Sequence, residues 1–346
     1  MPSSPVSPVS TVSGFSDPLH TNPSALLKRR SLLKGAAGVA AAVALPAFAA
    51  WPDKPIKIIV TFPAGGASDI VARVMAEQLG KKLSQAVVVD NRPGAGGSVG
   101  GLLVSQAPPD GYTLMLSNST PISIGPFALE KQPYDPLAGF THIALIGNAP
   151  CVVMANPAAP MKTMADIEAH ARKTGRVDFG SGGPASIGHI YGELMKKSMG
   201  VNLTHIPYRG GAPMTTDLIA GTIPLGIDVL TAFVPYFKSG QLVPVAVTSA
   251  VRSPLVPDVP SVVEFGYRNL VLDNFFGLSG PANMPADIVA RLNAACNEIL
   301  AMADVKKKML DLGITTSPSS PAAFTAFVKD QVATLAPAVR GAGVKL

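Results

Sequence analysis

The segment K-I-I-V-T-F-P-A-G-G-A-S-D at residues 57–69 leaves the chain few ways to fold. Ile56–Val60 is an unbroken β-favouring run of the kind that is buried in a sheet. Phe62-Pro63-Ala64-Gly65-Gly66 ends it with a turn that only small residues form tightly. A helix is predicted to follow at once, with Ser68 and Asp69 as N-cap candidates and Ile70, Val71, Val74, Met75 and Leu79 at helical spacing. Strand, glycine turn and helix in that order aim free backbone N–H groups and the positive end of a helix dipole above the strand's carboxyl end. That is a seat for an anion.

The same rhythm continues along the chain. Strand Ile56–Thr61, helix Ala67–Leu83 and strand Ala86–Asp90 form a βαβ unit, and the glycine-rich loop Asn91–Gly97 leads into helix Ser98–Gln106. Strand Tyr112–Leu116 ends in a third polar loop, Ser117-Asn118-Ser119-Thr120-Pro121. The long apolar run His142–Ala155 carries no helical period and suits a strand crossing from one domain to another. A second unit follows: a capped helix from Thr163 to about Lys173, strand Val177–Phe179, loop Gly180–Ser186, a helix to about Met199, strand Leu203–Ile206, helix Ala212–Ala220, strand Pro224–Asp228, helix Thr231–Lys238 and strand Val243–Thr248. Strand Asn274–Ser279 returns the chain to the first domain, where helices Asp287–Leu300, Asp304–Leu312 and Ala322–Leu335 complete it. The fold class is α/β, with residues 50–149 and 276–346 in one domain, 150–275 in the other, two crossing strands and a ligand cleft between them. Pro63–Ser68 and Gly182–Ser186 echo each other, each a strand, a small-residue turn, a hydroxyl and a helix. Facing each other across a cleft, they offer two sets of N–H and O–H donors to one ligand.

The start of the chain reads differently. Residues 1–27 are rich in Ser and Pro and are expected to be disordered, whereas Lys28-Arg29-Arg30 precedes an Ala-rich apolar core that ends in Ala47-Phe48-Ala49. Residues 28–49 form an export signal with an arginine pair like that of the twin-arginine class, cleaved near Ala49. Lys28 stands where that class prefers Ser or Thr and Leu32 where it prefers Phe, and Sec export stays open. Cleavage there reduces 28 basic and 22 acidic residues to 24 and 21, so the charge falls from +6 to +3. That balance is too mild for a nucleic-acid surface. No later apolar run reaches the roughly 18 residues of a membrane span without interruption. Cys151 and Cys296 lie on unrelated elements and are expected to be buried free thiols, with no zinc spacing around them.

Several motifs carry competing readings. Gly65-Gly66 is either a set of anion donors or a tight turn. Asp69 next to a carboxylate would repel it, so a cap or a partner for Arg73 suits it better than ligand contact. Gly94–Gly101 misses the dinucleotide fingerprint because Val99 occupies the third glycine position. Ser186 and His189 lie three residues apart on one helix, whereas triad partners come from separate elements. His189 and Glu193 lack a third metal ligand. Arg209 either pairs with a second ligand carboxylate or anchors its own loop. Phe62, Phe275 and Phe276 line an aromatic pocket or belong to the core. No cofactor, no metal and no catalysis are expected.

Pro55-Ile56-Lys57, Phe62–Gly66, Asp69 and Arg73, Val89–Gly97, Pro109–Leu114, His205–Gly210 and Pro257–Pro260 together resemble the Bug family, the periplasmic receptors of tripartite tricarboxylate transporters. The resemblance covers residues 52–346, with its motifs in the family's order. It implies a periplasmic-binding-protein-like fold that closes on a small carboxylate without catalysis, and hands it to membrane permease subunits. A periplasmic module signalling to a sensor kinase is the alternative partner; a monomer is expected, with no nucleic acid. The family's ligand loop corresponds to Ala64–Asp69, and Phe62, Ala64, Gly65, Gly66, Ser68 and Asp69 are its site residues. Ser119 and Thr120, Ser181, Gly182, Ser186 and His189, Tyr208 and Arg209, and Asp228 complete the implied ligand set. Arg209 replaces a commoner Lys, Phe275-Phe276 stand where Trp is usual, and Ala282–Pro285 replaces a Thr-Pro turn.

Overall fold

A computed structural model describes residues 51–341, 343 and 344; the leader and export signal expected over residues 1–49 lie outside the described residues. In chain order the elements are β1 (Ile56–Val60), α1 (Ala67–Leu83), β2 (Val87–Asn91), α2 (Ser98–Ser105), β3 (Thr113–Asn118), α3 (Gly125–Ala128) and β4 (Phe140–Ala155). Then come α4 (Met164–Thr174), β5 (Val177–Ser181), α5 (Ile187–Met199), β6 (Leu203–Pro207), α6 (Gly211–Ala220), β7 (Leu225–Val229), α7 (Val234–Lys238) and β8 (Val243–Val247). The chain closes with β9 (Asp273–Pro281), α8 (Ala286–Ala301), α9 (Ala303–Asp311), β10 (Thr315–Thr316) and α10 (Pro321–Gly341).

Hydrogen-bonded strands follow the order β2-β1-β3-β9-β4-β7-β5-β6, with β8 and β10 also pairing with β4. β1 lies parallel between β2 and β3, and β5 lies parallel between β6 and β7, so each half repeats one small parallel sheet. β4 joins the halves: its stretch Phe140–Pro150 pairs antiparallel with β9, and Cys151–Ala155 pairs with β7. The long apolar strand therefore does run from one lobe into the other. Because parallel strands of both lobes end towards the middle, the loops that follow them meet there.

Local chemistry explains the helices. α1 buries Val71, Ala72, Val74, Met75, Leu79 and Leu83 along one face and ends where Ser84 takes a left-handed conformation and donates its N–H to the Gly80 carbonyl. Its N-cap is Gly66, without a side-chain cap, which corrects the expectation for Ser68 or Asp69. α4 opens on a full capping box between Thr163 and Asp166, worth about 1 kcal/mol. Elsewhere the boundaries shift: Thr231–Lys238 is a short 3₁₀ turn followed by α7, and the last helix runs on to Gly341 with Pro337 inside it. The β10 pair was not visible in the sequence, since two residues held by β4 carry no period.

Four apolar clusters fill the layers. The largest lies between β1, α1, α8 and β9 and extends to Ala185, Ile187 and Ile190 of the opposite lobe, so the lobes are packed together beside the cleft. Phe275 and Phe276 are fully buried core residues, Phe275 against Phe324 and Phe327, and neither lines a pocket described below. Cys151 and Cys296 are free and buried. Burial raises both thiols, Cys296 to about 12, which leaves them unreactive. Among the described helices none is long and apolar enough to cross a membrane.

Candidate functional site

Beyond β1 the chain enters Phe62–Gly66, and the first turn of α1 fixes that loop. Asp69 accepts the Gly65 N–H at 3.0 Å, the Asn91 amide at 3.1 Å and the Arg73 guanidinium at 2.9 Å. Burial works against its charge, but the bonds from Arg73, Gly65 and Asn91 prevail and hold the carboxyl below its ordinary range. Gly65 sits at φ +83°, a conformation that a side chain would strain. The loop is thus shaped from behind, and neither Asp69 nor Gly65 lines the cleft described below.

β3 ends in Asn118, whose amide donates to the Ser68 hydroxyl at 3.0 Å and whose carbonyl accepts the Thr120 N–H at 2.9 Å. Ser119, fully buried, accepts the Phe275 N–H instead, tying β3 to the returning strand. Thr120 reaches across the gap: its hydroxyl accepts the N–H of Ile187, the first residue of α5, at 3.3 Å.

In the other lobe, Ser186 caps α5 by accepting the His189 N–H at 3.3 Å, and it donates to the Ser181 hydroxyl at 3.0 Å. Ser181 bonds in turn to the His205 ring at 2.7 Å, and His205 stacks on His189 with ring centroids 3.7 Å apart. Burial lowers both imidazoles, His189 to about 4 and His205, which also feels His189, to about 3, so this pair is neutral at pH 7. The His189 ring accepts the Ala185 N–H at 3.0 Å. Ser181, His189 and the unforeseen His205 therefore brace the loop from below and do not reach the cleft. Glu193 pairs with Lys196, not with His189.

What remains converges on one cleft of about 50 Å³. From the first lobe it receives Phe62, Ala64, Gly66, Ser68 and Thr120; from the second, Gly182, Ser186 and Asp228. The sequence reading missed Asn118, Ile187, Gly211, Ala212 and Asn274, all of them part of this wall. Asn118 stood in a polar loop at a strand's end and was legible in principle; Asn274 opens an apolar strand and carried no signal. Ala67 and Ser68, Ile187, and Gly211 and Ala212 are the first residues of α1, α5 and α6, so three helix N-termini surround the same small space. Each brings roughly half a positive charge.

One carboxylate opposes them. Asp228, at the end of β7, accepts the Val229 N–H through Oδ1 at 2.8 Å. Its Oδ2 lies so near Gly182 and Gly211 that a Cβ on either would come within 3.3 and 3.1 Å of it. Burial raises its carboxyl to about 6.

Pro63 and Gly210 close the cleft on one side; a Cβ on Gly210, at φ +111°, would come within 3.0 Å of the proline ring. On the far side of that contact lies a second chamber of about 300 Å³, which holds Tyr208 and Arg209. The Tyr208 hydroxyl donates to Asp217 at 2.8 Å; burial and that bond raise it to about 12. Among the described residues no cluster of His, Cys, Asp and Glu is arranged to hold a metal ion.

The sequence profile described as "Tripartite tricarboxylate transporter family receptor" matches residues 71–344. The chain is 33% identical over 312 residues to the Bordetella pertussis protein BugT, covering 90% of this chain and 95% of that one. A Rhodopseudomonas palustris protein solved with adipate superposes with a TM-score of 0.81 at 30% identity, over 85% of this chain and 98% of its own. MatC from the same organism, solved with bound malate, gives 0.79 at 26% identity, over 84% and 100%.

Proposed function

The chain belongs to the tripartite tricarboxylate transporter receptor family, and from that premise we propose that it is an extracytoplasmic receptor that closes on a small carboxylate and delivers it to the permease subunits of such a transporter. The observation that carries this reading is the meeting of three helix N-termini and the Ser68 and Thr120 hydroxyls in one cleft. A carboxylate entering a closing cleft loses several kcal/mol of hydration, which pre-aligned N–H and O–H dipoles replace without leaving a buried cation when the site is empty. The volume of about 50 Å³ suits a single carboxylate head, since one water needs roughly 10–15 Å³ on the same kind of measure.

Closure is part of recognition. α1 belongs to one lobe and α5 and α6 to the other, so the full set of donors exists only when the lobes meet. Differential affinity for the closed form then drives it. Nothing in the cleft supplies a nucleophile with a base: the Ser186 hydroxyl is spent on its cap and on Ser181, which fits a receptor and not an esterase. Adipate and malate, bound by the two R. palustris proteins, set the class of acid to try first. Calorimetric titration of the full chain with mono- and dicarboxylates tests the reading. Binding of at least one acid at micromolar Kd is expected, and no heat with any acid of a broad panel refutes it.

A further inference from the structure

Among the described residues, four that are not glycine hold a positive φ: Ser84, Ala95, Ala185 and Asn283. Two have an ordinary reason. Ser84 is the C-cap of α1, and asparagine tolerates left-handed backbone because its short amide bonds locally. The other two are alanines, at φ +44° and +53°, each with a Cβ that clashes there and no polar group to compensate. They stand on opposite lobes, Ala95 in the loop after β2 and Ala185 in the loop between β5 and α5, and those two loops touch. A Cβ on Gly96 would come within 3.1 Å of the Ala185 Cβ and 3.3 Å of the Pro184 carbonyl oxygen. Two residues further on, the Ile187 N–H crosses to the Thr120 hydroxyl. Each alanine is also held from its own side. The N–H of Ala185, which is fully buried, donates to the His189 ring at 3.0 Å, and the Ser186 N–H donates to the Gly183 carbonyl at 3.1 Å. The Ala95 carbonyl accepts the Ser98 N–H, and the adjoining Gly97 is pinned where a Cβ would come within 3.0 Å of the Thr61 hydroxyl oxygen. Strain of this kind persists only where the surroundings over-determine it.

We infer that this seam is a spring between the lobes: the contact made on closure holds Ala95 and Ala185 in left-handed backbone, and their relaxation reopens the cleft when the ligand leaves. The inference rests on the reading that the lobes close on a ligand, and it does not depend on which acid that is. Its physical basis is the place of the strain. When the lobes part, Gly96 leaves Ala185, Ile187 leaves Thr120, and both loops relax towards negative φ. Strain buried within a single lobe would burden the open and closed forms alike and shift nothing between them. At the seam it raises the closed form alone, and the ligand's contacts with the three helix N-termini have to offset it. A receptor that delivers its ligand needs that balance, since an empty form that stays closed admits nothing and a closed form that is too stable does not let go.

The test uses two substitutions of opposite sign in the full chain. Ala95 is exposed, so Ala95→Gly removes strain without opening a cavity, whereas Gly96→Ala sets a methyl against Ala185. Cys151 and Cys296 are buried, so spin labels attach selectively at Val88→Cys on β2 and Val251→Cys beyond β8, one on each lobe and both exposed. Pulsed electron resonance on the empty chain then reads the fraction at the interlobe distance of this structure. Ala95→Gly is expected to raise the ratio of closed to open chains by at least about fivefold, and Gly96→Ala to lower it by a similar factor. Calorimetric titration with adipate and malate is expected to show Kd tightening in the first variant and weakening in the second by the same factors. An unchanged ratio in Ala95→Gly overturns the spring, all the more if the Tm of the empty variant rises, because the strain is then common to both forms. A native empty chain found wholly at the closed distance overturns it as well. If neither acid binds, that counts against the carboxylate reading, and the distances in the empty chain alone decide the spring.

Discussion

Replacing Asp228 with Asn removes a carboxylate whose desolvation outweighs the favourable helix ends around it, and the size of the effect follows from that balance. Burial lifts its pKa from 3.8 to about 6. The folded state therefore binds the proton more tightly than the unfolded chain does. Stability from this group is greatest at low pH and is lost as pH rises from about 4 through about 6. A rise of that size corresponds to at most about 3 kcal/mol of destabilisation above pH 7, about half of that at pH 5 and little at pH 4, and solvent reaching the half-buried carboxylate through the cleft reduces it. Asn keeps an oxygen for the Val229 N–H and places a neutral amide where Oδ2 stood. For a chain of this size 1 kcal/mol moves Tm by about 2 °C, so Asp228→Asn is expected to melt about 2–6 °C higher at pH 7.5 and close to the native Tm at pH 4. Differential scanning fluorimetry of both proteins across that pH range reads the difference directly. An Asn variant that melts lower at pH 7.5, or whose advantage is the same at pH 4, refutes the claim that Asp228 is a half-buried, poorly solvated charge tolerated for the sake of the site.

The same residue couples binding to protons. A carboxylate arriving beside Asp228 raises its pKa further, so affinity is expected to rise about tenfold between pH 7.5 and pH 5.5, with proton uptake visible as a buffer-dependent heat; pH-independent binding argues against contact. Ser186→Ala deletes the α5 cap and is expected to cost about 1 kcal/mol, or about 2 °C in Tm, in the absence of any ligand; an unchanged Tm would free that hydroxyl for the ligand. Gly210→Ala places a methyl against Pro63 at a left-handed φ and is expected to weaken carboxylate binding by about tenfold, about 1.4 kcal/mol; affinity within twofold of native would show that the two lobes need not approach there.

Much of this molecule is written locally. Strand, glycine turn and helix succeed one another in the order of the residues, and hydrophobic period and breakers placed most elements, including the crossing strand β4, because each depends on neighbours a few residues away. The same local logic located Gly66, Ser68, Gly182 and Ser186 at strand ends and helix starts, where the sheet's polarity makes them converge, and the family resemblance added Thr120 and Asp228. Charge repulsion pointed Asp69 towards Arg73 rather than a ligand, and the structure pairs the two, but the rest of the division of labour within each loop was not legible. Ser119, Ser181 and His189 carry the same chemistry as the residues that face the cleft, yet the structure turns them inward to hold Phe275, His205 and Ala185. Their partners lie up to 156 residues away. The periodicity of a sequence determines which face of a helix is apolar and where its free N–H groups start. Only the packing of one lobe on the other decides which hydroxyls are already satisfied and which carboxylate is left against a helix end.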